Sequence, residues 1–264
     1  MTHDLIDIGA NLAHDSFVGD RDEVLHRARA AGVNRIVVTG SSDDSNRGAL
    51  ELAREHPGAL FSTAGVHPHH AKDYSDESDA LIREVVKEPE CVAVGECGLD
   101  YFRNFSPREA QLDAFRRQLE IAIETQKPVF LHQRDAHDDF VEVLEEVLPK
   151  ISRAVAHCFT GEHESLREYL AMGLYIGITG WICDERRGKH LYEIVSAVPD
   201  DKLMIETDAP YLLPRTLTPK PKTRRNEPMH LAEVLRIVAE ARGQAEEHVA
   251  KITTENAVRF FGLG

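Results

Sequence analysis

The sequence predicts a single-domain α/β protein built as a (β/α)8 (TIM) barrel. Two observations carry that expectation. Short apolar runs rich in β-branched residues recur along the 264 residues, as strands covered on both faces should. Each is followed by a longer amphipathic, charged stretch, and about eight such units fill a chain of this length as a closed barrel better than as an open doubly wound sheet. Periodicity does not establish closure, so the open sheet stays as the alternative.

The runs in order are Leu5–Ile8, Ile36–Val38, Leu60–Ala64, Val92–Val94, Val129–Leu131, Ala154–Ala156, Tyr175–Ile178 and Leu203–Ile205. Between the fourth and fifth, Pro107 to Gln126 carries Leu112, Phe115, Leu119, Ala122 and Ile123 at three- and four-residue steps, a helix pattern. Ser106 reads as its N-cap, with Pro107 at the first helical position. After the eighth run, residues from about 228 to 262 read as two or three closing helices, so one domain is expected over 1–264. No low-complexity tract or linker interrupts this order, and 42% hydrophobic residues supply a large core.

Composition narrows the function classes. A formal net charge of −14 argues against non-specific duplex binding through a basic stripe. Charge supplied locally, including by bound metal ions, still allows action on nucleic acid. No apolar run approaches the roughly 18 residues of a membrane span, and the opening MTHDLIDIGA has no basic leader, so no membrane partner is expected. The four cysteines form no CxxC pair and are too sparse for a disulfide framework, which points to a reducing cytoplasm. Nothing demands more than a monomer.

In a barrel, chemistry belongs where the strands end at their C-termini. The residues that follow the runs there are Gly65-Val66-His67-Pro68-His69, Gly95-Glu96-Cys97-Gly98-Leu99-Asp100, His132-Gln133-Arg134-Asp135, His157-Cys158-Phe159-Thr160-Gly161 and Glu206-Thr207-Asp208-Ala209-Pro210. Glu96, His132, His157 and Asp208 are thus metal-ligand residue types at equivalent points of four strands. Any one alone serves equally well as a helix cap or a satisfied buried polar group; together they read as a ligand set. Mixed imidazole and carboxylate donors suit zinc, manganese or magnesium, the carboxylates favouring the harder ions. A carboxylate beside a metal-bound water takes its proton, and Asp208 is the candidate for that role, with Glu96 beside it. His67 is a candidate for positioning substrate or leaving group, whereas His69 and His70 read as exposed loop histidines.

Other residues admit two readings each. Arg134 either pairs with Asp135 to hold the rim or contacts a phosphate. Arg225 lies in the one concentrated basic segment, Lys220 to Pro228, which is either a solvated loop or a phosphate contact. Trp181 either packs or stacks on a base.

These segments, with Arg225-Asn226-Glu227-Pro228, come in the order of the TatD family of metal-dependent deoxyribonucleases, which the sequence resembles over essentially its whole length. The resemblance implies a TIM-barrel metallohydrolase with Glu96, His132, His157 and Asp208 as ligands. It further implies a magnesium-dependent 3′–5′ exonuclease acting on single-stranded DNA or RNA, in DNA repair or nucleic-acid turnover. One departure stands out. Most relatives open with Asp-x-His-x-His-Leu, and here the stretch is Asp7-Ile8-Gly9-Ala10-Asn11-Leu12, without either histidine. One branch of the family looks like this, and the Trp181–Arg187 segment resembles it too. One firm metal is therefore expected on Glu96, His132 and His157. A second, left with Asp208, Glu96 and at best Asn11 or Asp7, is expected to be weak and oxygen-liganded, which favours magnesium there.

Two other classes compete. A metal-dependent amidohydrolase acting on a small C–N or ester substrate would use the same barrel. It would, however, expect the first-strand histidines and a carboxylated lysine, and Lys127 precedes the fifth strand. A silent scaffold would be expected to have lost more of the Glu96, His132, His157 and Asp208 set.

Overall fold

The computed structural model describes residues 3–263. Its eight strands lie in one sheet in chain order, β1 to β8. They are β1 (Leu5–Ala10), β2 (Val33–Val38), β3 (Leu60–Ala64), β4 (Cys91–Asp100), β5 (Val129–Arg134), β6 (Ala154–Ala156), β7 (Tyr175–Ile178) and β8 (Leu203–Ile205). The alternating helices are α1 (Arg21–Ala30), α2 (Asp43–Glu55), α3 (Asp76–Val85), α4 (Arg108–Thr125), α5 (His137–Val147), α6 (His163–Ala171) and α7 (Lys189–Ile194). Two more, α8 (Leu231–Arg242) and α9 (Glu246–Phe261), close the chain after a short 3-10 turn at Pro228–His230. First and last strands meet: Ala10 bridges Ala209, Asn11 N–H donates to the Ala209 carbonyl at 2.7 Å and Asp208 N–H to the Gly9 carbonyl at 2.8 Å. This is the (β/α)8 barrel, and the open sheet is set aside.

The chain divides into two compact units. One comprises residues 38–157 and 171–174, the other 1–37, 158–170 and 175–264. In the first, β3, β4, β5 and β6 pair in parallel, and every residue of β4 is buried. Its helices begin where hydroxyls can cap them: Ser42 accepts from Ser45 N–H ahead of α2, and Ser75 from Ser78 N–H ahead of α3. The expected cap of α4 is corrected. Pro107 itself is the non-helical residue before Arg108, and Ser106 is turned away to donate to the His69 carbonyl at 2.9 Å. In the second unit, β7 and β8 pair in parallel, and α8 and α9 each end on a left-handed glycine, Gly243 and Gly262.

Two sequence expectations for strand lengths also change. Glu96 to Asp100 lie inside β4 and His132 to Arg134 inside β5, rather than beyond them. The polar and glycine residues that make these stretches look like loops still carry ladder bonds.

A carboxyl is buried at the strand seam of the second unit. Asp7 is wholly buried, accepting from Thr207 N–H at 2.9 Å, the Thr207 hydroxyl at 2.5 Å and Gly9 N–H at 3.2 Å. Burial pushes its pKa from 3.8 up to about 7, with the Thr207 and Gly9 hydrogen bonds opposing. A raised carboxyl favours folding while neutral, so its contribution is complete below pH 3.8 and is lost as pH rises toward 7. We expect Asp7→Asn to gain stability relative to the parent across that window and to level off above it, by about 4 kcal/mol at most. Urea titrations of both proteins between pH 4 and pH 8 measure this; a pH-independent difference would mean Asp7 stays ionised.

Candidate metal centre and active site

The first unit assembles the candidate centre from the ends of three adjacent strands. Pairing of β4 with β5 runs from Val94↔Val129 to Cys97↔Leu131, so that Gly95 and Glu96 on one strand oppose Phe130 alone on the other. That β-bulge contains Glu96, and a bulge re-aims the side chain it carries. Glycines permit the strands to stay close around it. A Cβ at Gly95 would lie 2.2 Å from the Phe130 carbonyl oxygen, and one at Gly98 1.9 Å from that of His132. Both have φ in the region that favours glycine, +130° and +142°. Beyond the bulge the register sets Gly98 against His132, and His157 N–H donates to the Leu131 carbonyl at 2.9 Å, placing the two imidazoles on neighbouring strands.

His67 is positioned by its turn. Gly65 N–H donates to Asn46 Oδ1 at 3.0 Å, Val66 N–H to Gln118 Oε1 at 2.7 Å, and His67 N–H to the Ser41 carbonyl at 3.0 Å. Asn46 and Gln118 are fully buried, so the turn is fastened from beneath.

Three imidazole nitrogens converge on one oxygen. Glu96 Oε1 lies 2.8 Å from His157 Nε2, 3.1 Å from His132 Nδ1 and 3.4 Å from His67 Nε2. Burial alone would raise the Glu96 pKa, but the imidazoles outweigh it and hold the carboxyl well below its ordinary range. His67 is pushed the other way: burial keeps its pKa well below 6.5 against the pull of Glu96, so it is neutral at pH 7. His132 is raised, burial being outweighed by Asp100 and Glu96.

Asp100 is a residue the sequence reading missed. Its Oδ2 lies 2.8 Å from His69 Nε2 and 3.5 Å from His132 Nε2, and its Oδ1 accepts from Arg103 N–H at 2.8 Å. Burial would raise its pKa, but these partners hold it far below the carboxylate range. His69 is corrected: it belongs to the cluster, its ring 4.2 Å from that of His67, while His70 is exposed as expected. The sequence signal for Asp100 is its place two residues past a strand-borne Gly98, which alternation carries to the same side as Gly98 and Glu96.

Whether a cation fits is a question of donor chemistry. His67, Glu96 and His132 offer ligand atoms all within 4.8 Å of one another. His132 Nε2 is buried with no hydrogen-bond partner in full reach, yet it faces Asp100 while Nδ1 faces Glu96. A carboxylate behind an imidazole whose other nitrogen points to the centre is the outer arrangement of metal-binding histidines. His157 meets Glu96 from the third strand. Glu96, His132 and His157 are the set the sequence leads one to expect, while the donor atoms that lie together are those of His67, Glu96 and His132. His67 fits less well despite its distance: Nδ1 accepts the His69 N–H at 3.1 Å, so the ring proton sits on Nε2, the nitrogen facing Glu96. Its geometry is that of a donor.

The remaining expected residues lie in the second unit. Asp208 follows β8 with φ +53°, and its Oδ1 accepts from Asn11 Nδ2 at 3.0 Å. Asn11 thus offers an N–H to Asp208 where a histidine would offer a lone pair. Asp7, the other fallback ligand, has its oxygens committed to Thr207 and Gly9. Arg225 is given structural work: it donates to Asp20 at 2.6 and 2.8 Å, Glu227 at 2.9 Å and the Ser16 carbonyl at 2.6 Å, with Arg27 on the same Glu227 at 2.8 Å. Trp181 packs under the Arg187 guanidinium, 4.5 Å from its ring centroid, and donates from Nε1 to the Arg187 carbonyl at 3.4 Å. In the first unit, Arg134 lies over the Phe102 ring at 3.8 Å. Lys127 donates to the Cys91 carbonyl at 2.7 Å, at the N-terminal ends of β4 and β5 and away from a bridging position.

Comparison with known proteins gives the family and the fold. The family profile described as TatD related DNase matches residues 6–262. The Erwinia tasmaniensis protein named 3'-5' ssDNA/RNA exonuclease TatD is 51% identical over 98% of this chain and all of its own. Two crystal structures superpose on it with TM-scores of 0.89. One is a hydrolase TatD family protein from Entamoeba histolytica, 27% identical and covering 100% of both chains. The other is the TatD homologue YJJV of Escherichia coli k12, 28% identical and covering 99% of both.

Two outcomes follow from the geometry. Asp100→Asn should weaken binding of manganese about 10- to 100-fold, the usual effect of losing a carboxylate behind a metal-binding histidine; titration calorimetry reads it, and unchanged affinity would separate Asp100 from the centre. Arg225→Ala should cost about 1–3 kcal/mol by stranding Glu227 and Asp20, seen as a Tm lower by several degrees with KM for oligonucleotides little changed.

Proposed function

We propose that this chain, which belongs to the TatD-related DNase family, is a metal-dependent 3′–5′ exonuclease that hydrolyses single-stranded DNA and RNA. The observation that carries the reading is the convergence of three imidazoles on one ionised oxygen of Glu96. Imidazole and carboxylate donors gathered at one point suit a divalent cation. Glu96, His132 and His157 would hold the ion, and magnesium is the one proposed, with manganese or zinc acceptable to the imidazoles. Such an ion lowers the pKa of a water, polarises the scissile phosphoryl oxygen and steadies the leaving oxygen.

The chain's own groups divide the rest of the work. Asp100 keeps His132 oriented, so that Nδ1 points inward. His67, neutral and with its proton on Nε2, donates to a substrate oxygen and needs no change of charge to do so. Asp208 is the carboxylate proposed to take the proton of the attacking water, and the Asn11 amide holds its Oδ1. The same Asn11 N–H makes any second cation at Asp208 weak. Arg134 and Trp181 are the substrate contacts carried over from the sequence, with Asn11 proposed as a third; Arg225 is withdrawn because both its terminal amino groups are occupied. The four cysteines form no disulfide, which suits a reducing cytoplasm, and no helix among the described residues is long and apolar enough to cross a membrane. Nucleic-acid turnover or repair is the process such trimming serves.

The test is digestion of a 5′-labelled single-stranded oligonucleotide with and without magnesium, beside Glu96→Ala. We expect a magnesium-dependent ladder shortening from the 3′ end, reduced at least about 100-fold in the variant. Absence of cleavage with magnesium, manganese and zinc alike would overturn the reading.

A further inference from the structure

Between β4 and α4 the chain presents four consecutive exposed residues, Phe102, Arg103, Asn104 and Phe105, bounded by the buried Tyr101 and Ser106. Phe102 and Phe105 are 55% and 57% exposed, and no other phenylalanine among the described residues is exposed. Two such rings in one short segment form a patch that water does not favour.

The segment is not loose. Arg103 N–H donates to Asp100 Oδ1 at 2.8 Å, and the Asn104 side chain donates to the Tyr101 carbonyl. At the far end the Ser106 hydroxyl donates to the His69 carbonyl at 2.9 Å, and Gln111 Nε2 to the Ser106 carbonyl at 2.9 Å. Ordered anchors on both sides therefore hold two aromatic rings toward solvent. Cations accompany them: the Arg134 guanidinium lies 3.8 Å from the Phe102 centroid, and that of Arg103 lies 5.8 and 5.9 Å from the two rings. Two guanidinium groups thus stand at the rings in a chain of net charge −14.

The patch is continuous with the candidate centre. The Phe105 ring sits edge-on to His69 at 4.8 Å, His69 to His67 at 4.2 Å, and His67 Nε2 reaches Glu96 at 3.4 Å. Aromatic faces interleaved with guanidinium groups are what a single strand of nucleic acid needs, since each base offers a π-face and each linkage a negative charge. A duplex offers neither face, its bases being stacked on one another.

We propose that Phe102 and Phe105 form a stacking subsite for unpaired nucleobases near the scissile end, with Arg103 and Arg134 at the adjoining phosphates, and that this subsite selects single strands. The inference rests on the nuclease reading above and goes beyond it by naming what grips the substrate. Loss of one stacked base should cost roughly 10-fold or more in affinity.

The experiment measures initial rates of the first cleavage on 5′-labelled single-stranded DNA, intact or with one abasic residue moved through the last few 3′ nucleotides. For the parent enzyme, an abasic residue at one or two positions should raise KM about 10-fold with kcat changed little. Phe102→Ala and Phe105→Ala should raise KM for intact DNA similarly and abolish the abasic penalty. Phe102→Trp and Phe105→Trp should restore both. A penalty that persists undiminished in both alanine variants, or a parent enzyme indifferent to abasic residues throughout, would overturn the proposal while leaving the nuclease reading intact. A parent enzyme that cleaves no strand at all would instead bring down the reading on which it rests.

Discussion

Everything at the candidate centre depends on keeping one carboxylate ionised in a strand that is otherwise sealed from water. Glu96 lies in β4, whose ten residues are all buried. A lone carboxylate there would take up a proton, since desolvation penalises its charge. The imidazoles of His157, His132 and His67 reverse that outcome. They reach it because the bulge at Val94–Cys97 points Glu96 toward the ends of β5 and β6, and because Gly95 and Gly98 let the neighbouring backbones approach as closely as that requires. Geometry and charge are therefore a single constraint: without the bulge there is no convergence, and without convergence no stable anion.

That constraint also orders the surrounding polar groups. Asp100, four residues beyond Glu96 on the same strand, faces His132 from its other side and takes His69 as a second partner. Each carboxylate thus lies among imidazoles, and His132 is held between two of them. Asp7, a buried acid of the second unit, has different neighbours. Asp7 is surrounded by hydroxyl and amide donors, which offset burial only in part, and its pKa climbs to about 7. The contrast shows why one buried carboxylate is suited to a cation and the other to a seam: the Glu96 oxygen stays charged among imidazoles, while Asp7 spends its oxygens on Thr207 and Gly9.

Much of this was legible in the sequence. All eight apolar runs are strands, and Glu96, His132 and His157 meet as their positions at strand ends imply. What was not legible follows from physics that a pattern does not carry. Glycine and charged residues in Gly95–Asp100 look like a loop, because nothing in composition announces a bulge that lets a strand continue through them. His69 looks like any loop histidine until the turn after β3 brings it against Asp100. Arg225 looks like a free cation in a basic segment, yet its partners Asp20 and Glu227 lie far from one another in sequence and only folding brings the former to it. Local charge density is readable from one dimension; charge pairing is not.

The same distinction decides how His67 should be understood. By distance alone it belongs with the ligands, its Nε2 being within 3.4 Å of Glu96. A ligand nitrogen must present a lone pair, and a histidine usually does so by donating through its other nitrogen. The His67 Nδ1 does the reverse, accepting a backbone N–H as the cap of the turn that follows it. The ring is neutral, and its one proton must then stand on Nε2. The turn that places His67 beside the centre therefore also sets its tautomer, and the tautomer makes it a donor to oxygen. In a reaction that gathers negative charge on phosphoryl oxygens, a fixed neutral N–H adjoining a cation site contributes where a further ligand would not. Backbone conformation at Pro68 and His69 thereby assigns the chemical role of the side chain before them.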